Sequence, residues 1–314
     1  MKALFFLMIA AAALCSCNQV SDPVPDNPQV PAQVMQLVEN TYENPRNMIF
    51  TEILNNKIWN VELESGAKRY SSMLSPDHIL VAYRLAGTVV PDSLKNLLNT
   101  SVIAGGTFSD FREQEYHLFD NADFEKTYLA DYLWKGSSYL LKWRATALRG
   151  QATTYTLEMA SVHARFPAAG LSDLPEALQQ YVQDKKFQFS RAIISISARS
   201  EKSYQLYLRK NNIDFQLLFD QDCKLLAGSD QPVDLGNAGE LPSNIKTYLD
   251  SRDEYKGFGF LGNLSGIIRN ELDGVKSYVV GIQKQDGSIA RNQVWYITFD
   301  QNGSPLSRDY FVLY

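Results

Sequence analysis

The chain has 314 residues, three cysteines and a formal net charge of −5. That length supports a core large enough to fold without disulfide staples. The mild acidity, with no basic stripe, argues against nucleic acid as a partner.

Met1-Lys2 supplies a short positive start, and Ala3 to Leu14 runs without a charge. A bilayer crossing needs about 20 apolar residues, so the run is too short to span and suits a signal-peptide core. It leads into Leu14-Cys15-Ser16-Cys17, which resembles the lipobox of bacterial lipoproteins. The resemblance implies a signal peptide over residues 1–16, cleavage before Cys17, and lipid on that cysteine anchoring the chain to the bilayer. Two or more acyl chains on one residue give stable anchoring where one would be marginal. The expected location is the cell envelope, at the outer membrane. The alternative is an ordinary secretory signal with incidental cysteines. If Cys17 is acylated, Cys223 is the lone thiol of the mature chain and no intrachain disulfide forms. Pro23, Pro25 and Pro28 mark residues 17–30 as a stiff tether, extending about 3.1 Å per residue where polyproline-like.

Four later segments open alike, at Pro31, Pro91, Pro175 and Pro242. Each proline stands at an expected first helical position, with apolar residues three, six and seven places on, which is one face of a short helix. The residues after each helix alternate as strands do, as in Lys57–Leu63, Ser203–Leu208 and Asn292–Phe299. Turn signals divide the strands at Ser65-Gly66, Lys135-Gly136, Asp273-Gly274, Asp286-Gly287 and Asn302-Gly303. The best internal match sets Phe219-Asp-Gln-Asp-Cys-Lys-Leu-Leu against Phe299-Asp-Gln-Asn-Gly-Ser-Pro-Leu, so Cys223 takes the turn position of Gly303. The expected fold class is α+β, built as tandem helix-plus-antiparallel-sheet repeats of about four units. Two pairs are expected, over residues 31–165 and 174–314, with residues 166–173 as linker.

The Leu/Val-Pro-x-x-Leu/Ile helix starts, the strand meander and the Phe-Asp-x-x-Gly/Cys-x-x-Leu closure resemble the PepSY-like repeats of Gram-negative envelope lipoproteins. Those repeats are similar in plan to the β-lactamase-inhibitor-protein fold. The resemblance is best over Asp173 to Tyr314 and weaker in the first half, where the Phe-Asp turn is missing. It implies a non-enzymatic binding or inhibitory role towards an envelope or extracellular protein, without naming the target. No target-gripping residue of the inhibitor family can be placed on this sequence.

Fragments of catalytic motifs each have a blander reading. Gly257-Phe-Gly-Phe-Leu-Gly262 matches G-x-G-x-x-G, but strand-like sequence comes after it where a dinucleotide site needs a long helix. Ser243-Asn-Ile-Lys246 matches S-x-x-K without the partner elements of serine acylating enzymes. His78, His117 and His163 stand in separate segments, and none has a second ligand at metal-binding spacing. Cys223 has Asp220 and Asp222 beside it, which disfavour a thiolate. No catalytic residue, metal or cofactor is therefore assigned, although a hydrolase whose groups converge only in the fold stays open.

The feature with binding potential is aromatic. Tyr128, Tyr132 and Trp134 alternate onto one face of a strand, and Tyr139 and Trp143 onto one face of the next. The five rings make either a candidate binding surface, for a protein partner or a glycan, or a core beneath the helix of their own unit.

Overall fold

The computed structural model describes residues 30–119, 125–147, 153–261, 266–285 and 292–313. Contacts divide the chain between Val30 and Pro31, and Pro31–Tyr314 forms one compact unit. The expected signal peptide, Cys17 and all of the tether but Val30 lie outside the described residues, as do Asp286-Gly287 and Gly262.

Four α-helices come directly after the four prolines: α1 (Ala32–Thr41), α2 (Asp92–Leu98), α3 (Glu176–Asp184) and α4 (Ser243–Asp250). Each proline is the N-cap, one place earlier than its expected position, with φ between −56° and −51° and ψ between 140° and 145°. The ring fixes φ, and the missing N–H costs nothing where no intrahelical partner exists. Each proline carbonyl accepts the N–H groups three and four residues on, such as Val34 and Met35 at Pro31 and Leu178 and Gln179 at Pro175. The residues three and seven places after each proline are buried: Val34 and Val38, Leu94 and Leu98, Leu178 and Val182, Ile245 and Leu249.

The rest is mostly antiparallel β structure. In chain order the strands are β1 (Arg46–Leu54), β2 (Ile58–Ser65), β3 (Lys68–Leu74), β4 (Ile79–Gly87), β5 (Thr107–His117), β6 (Glu125–Trp134), β7 (Ser137–Thr146) and β8 (Thr154–Ala160). Next come β9 (Ala164–Ala168), β10 (Gln188–Ile196), β11 (Lys202–Lys210), β12 (Ile213–Phe219), β13 (Leu225–Ala227), β14 (Val233–Asp234) and β15 (Gly259–Phe260). The last four are β16 (Ile267–Leu272), β17 (Val275–Gln285), β18 (Asn292–Asp300) and β19 (Pro305–Leu313). Among the described residues a 14-stranded sheet runs β1 to β8 in order, then β19-β18-β17-β16-β14, with β15 on β17. A five-stranded sheet has the order β13-β12-β11-β10-β9. The expected α+β balance thus gives way to a mostly β chain with a few short helices. Residues 166–173, expected as a linker, hold most of β9 and a 3-10 turn at Leu171–Asp173.

Strand alternation sends neighbouring side chains to opposite faces, so each sheet can bury one face and open the other. In the large sheet, α2 and α4 cover the face that carries Tyr132, Trp143, Met159, Trp295, Phe299 and Tyr310, forming one core. This core joins helices that the sequence pattern assigns to different pairs, because β8 bonds to β19 from Thr156↔Leu313 to Ala160↔Asp309. A second core forms where α3 covers one face of the five-stranded sheet through Ile194, Leu206, Leu217 and Phe219. Leu54, Ile58, Leu80, Leu129 and Leu140 of the large sheet join it. Lys57 Nζ donates to the Ser172 carbonyl (2.7 Å), and Lys185 Nζ bonds Asp273 at the β16–β17 turn (2.7 Å), so α3 and its approach are fixed to two distant parts of the large sheet.

Candidate functional site: a cleft between two open sheet faces

The β6–β7 hairpin shows where the aromatic residues went. Lys135 and Gly136 have φ of 49° and 75°, the left-handed pair that lets a two-residue turn match the strand twist. Tyr128 then pairs with Trp143 and Tyr132 with Tyr139, so all five rings share one face as expected. That face is the one α2 and α4 cover. Trp143 Nε1 donates to the Leu94 carbonyl of α2 (3.2 Å), and Trp134 Nε1 to the Ala104 carbonyl (3.2 Å). Tyr132 Oη donates to the Ile103 carbonyl (2.5 Å) and accepts the Gly106 N–H (2.8 Å). Tyr132, Trp134, Tyr139 and Trp143 are buried, while Tyr128 is half-buried and stacks on Phe111. Four of the five rings belong to the core, because α2, the loop after it and α4 cover them and the Leu94, Ile103 and Ala104 carbonyls take their polar tips.

The intervening residues point to the other face, which no helix covers among the described residues. On β7 these are Lys142 and Arg144, and across the sheet stand Glu158 on β8, Asp309 and Phe311 on β19, and Tyr296 on β18. Facing them is the helix-free side of the small sheet, with Arg191 and Ile193 on β10 and Gln205 and Tyr207 on β11. Between the two faces lies a cleft whose first section encloses about 460 Å³. Arg165, Gln205, Tyr296 and Asp309 also line a second section of about 760 Å³, walled by neutral polar groups such as Ser195, Ser203 and Thr298 and by carboxylates at Glu201, Asp214, Asp220 and Asp222. Tyr296 is 45% exposed and Phe311 39% exposed, large values for aromatic residues in the middle of a sheet.

Ion pairs organise the walls. Arg165 meets Asp309 at 3.0 Å, and Lys142 meets Glu158 at 3.9 Å. The Arg191 guanidinium lies 4.3 Å from the centre of the Tyr207 ring, opposite it in the β10–β11 register. At the margin, buried Arg112 bonds Asp131 (2.7 Å) and Asp110 (3.3 Å), and His163 Nδ1 lies 3.4 Å from Asp131. Burial pushes the Asp131 carboxyl above its ordinary range, more than Arg112 and His163 pull it down. No protein-family model and no curated protein matches the sequence.

The motif fragments do not assemble here. Gly259-Phe260 is strand β15 on β17, and Gly257 turns into it with φ of 80°. Ser243 is exposed at the start of α4, and Lys246 Nζ bonds the Gly239 carbonyl (2.9 Å) instead of approaching it. Burial, then Asp220 and Asp222, raise the Cys223 thiol pKa. Among the described residues no group of three or more His, Cys, Asp or Glu is placed to hold a metal ion. Sequence reasoning missed Arg191, Tyr207, Tyr296 and Phe311. Their only local signal was a polar or aromatic residue alternating with core positions, which any half-buried strand shows.

Proposed function

We propose that the protein is a lipid-anchored envelope protein that binds a protein partner non-catalytically in this cleft. The single observation carrying the reading is the pair of sheet faces, polar and set with half-exposed Tyr296 and Phe311, that meet without a covering helix among the described residues. Large aromatic side chains with a polar rim are the composition of interface anchors. Lipobox-like Leu14-Cys15-Ser16-Cys17 and the proline-bearing residues 17–30 support anchoring at the outer membrane. The four proline-capped helices, each preceding antiparallel strands, support the tandem-repeat plan and with it the resemblance to PepSY-like, β-lactamase-inhibitor-protein-like lipoproteins. A glycan platform on the β6–β7 hairpin loses its basis, since the rings that would stack on sugars are enclosed.

A photo-reactive phenylalanine analogue at Tyr296 or at exposed Gln180 on α3, activated in intact cells, tests the binding face. One discrete adduct from position 296 and none from 180 is expected. The same adducts from both positions, or none from 296, would overturn the assignment. Anchoring has its own test: Cys17→Ala should move the chain from the membrane fraction to the soluble one, and undiminished retention would defeat the lipid anchor.

A further inference from the structure

We infer that the second section of the cleft takes a basic, extended peptide segment, with lysine or arginine side chains at Glu201, Asp220 and Asp222 and another over the Tyr296 ring. This deepens the binding reading above and rests on it. Five carboxylates line the section, at Glu201, Asp214, Asp220, Asp222 and Asp309, against the cations Arg165 and Lys202. Arg165 offsets Asp309 (3.0 Å), and Arg209 reaches Asp214 from outside the lining (2.8 Å). What remains is Glu201, Asp220 and Asp222 against Lys202. Asp220 gives Oδ1 to the N–H groups of Asp222 and Lys224, whereas Glu201 and Asp222 stand exposed. The ring is an independent pointer to a cation. Tyr296 is 45% exposed, lines the section and stands opposite Asp309 in the β18–β19 register. The face of a tyrosine attracts an ammonium or guanidinium group, and a nearby carboxylate adds to that attraction.

The shape of the section favours a chain over a compact cation. Asp214, Gln216, Leu218 and Asp220 alternate onto it along β12 and just past its end. At about 3.3 Å per residue this lining is roughly 20 Å long, the reach of about six extended residues. Ser195, Ser203, Gln216, Thr298 and Ser307 offer hydroxyls and amides suited to peptide N–H and C=O groups. A small cation would use the carboxylates and leave these groups idle. The first section has the opposite lining, with Lys142, Arg144, Arg165 and Arg191 against Glu158 and Asp309, which confines the basic residues to the second.

The test uses the full-length protein in detergent and a fluorescein-labelled octapeptide of alternating Lys and Ser, read by anisotropy. Saturable binding that weakens as salt rises is expected. Glu201→Gln with Asp222→Asn should weaken it about fivefold, the combined scale of two exposed ion pairs, with an unchanged melting temperature. Tyr296→Leu should weaken it further, and the octapeptide with Gln for Lys should bind at least as weakly as the double variant does. Glu39→Gln with Glu176→Gln, which removes the same charge from exposed positions on α1 and α3, should leave affinity unchanged. Equal weakening by the two pairs of substitutions, or indifference to the first pair, overturns the proposal. Spermine bound as tightly, with the same dependence on Glu201 and Asp222, would overturn it in favour of a general polycation site. Cross-linking from position 296 without basic-peptide binding would leave the partner reading standing and remove this one. Peptide binding that depends on Glu201 and Asp222, without cross-linking from 296, would do the reverse.

Discussion

The Asp131 carboxylate lies 3.4 Å from Nδ1 of His163, which ties strand β6 on the open face of the large sheet to the residue just before β9. Arg165, two residues on, makes the second tie to Asp309 on β19. Both contacts hold the first strand of the small sheet against the large one, so they set the width of the cleft where the sheets meet.

Two carboxylates that tie the small-sheet region to the large sheet, Asp131 and Asp273, should respond to pH with opposite signs. Asp131 has a folded pKa above its ordinary 3.8, chiefly through burial, so the folded state binds the extra proton. Stability contributed at this site therefore falls as pH rises from about 4 through the raised value. Asp273 is shifted the other way, by its hydrogen bond to Lys185 first and to Tyr181 in support. Its contribution is present above the ordinary carboxylate pKa and is lost as pH falls through the lowered one. The Lys185–Asp273 pair is roughly two-fifths exposed, so solvent keeps this second effect small. Melting temperatures against pH for Asp131→Asn and Asp273→Asn should lose slopes of opposite sign. Identical changes in both variants would contradict the assignment.

The buried hydroxyl of Tyr132 gives a second prediction. Tyr132→Phe removes a donor to the Ile103 carbonyl and an acceptor for the Gly106 N–H while keeping the ring in place. Leaving buried polar groups without partners costs about 1–3 kcal/mol, so the urea midpoint should fall with the denaturant slope unchanged. Cross-linking from position 296 in the folded variant should stay as it was. Normal stability with abolished binding would return the hairpin to the surface.

Local structure was legible because its causes are local. Proline at the cap and apolar residues three and seven places on were enough to find α1 to α4, since a short helix needs only a start and a face. Asn292–Phe299 was legible as a strand by alternation alone, and its burial keeps that pattern along β18. Which face a strand buries was not legible. It depends on Leu94 arriving from α2 to accept the Trp143 N–H, a contact 49 residues apart in the chain. The cleft is more remote still, because Arg144 and Arg191 are brought together only by the β8–β19 pairing and the docking of β9. Strand alternation puts Asp131 on the face opposite the aromatic rings, but nothing near it in sequence announces Arg112 or His163 as its partners.

The matched turns at Asp220 and Asp300 give the last prediction. Asp220 Oδ1 accepts the N–H groups of Asp222 and Lys224, and Asp300 Oδ1 those of Asn302 and Ser304, so the two turns share one hydrogen-bond pattern. Cys223 and Gly303 occupy the same left-handed position, with φ of 62° and 79°. A side chain there costs roughly 1–2 kcal/mol, which Cys223 already bears and Gly303 avoids. A Cβ on Gly303 would also come within 2.9 Å of the Asn244 side chain on α4. Gly303→Ala should therefore destabilise by about 1–2 kcal/mol. Cys223→Gly relieves backbone strain but gives up packing against the second core, so its net effect should lie within about 1 kcal/mol of zero. Denaturant titrations of the two single variants check the ordering. Equal costs would mean that packing of the Cys223 side chain, and not backbone strain, governs this turn.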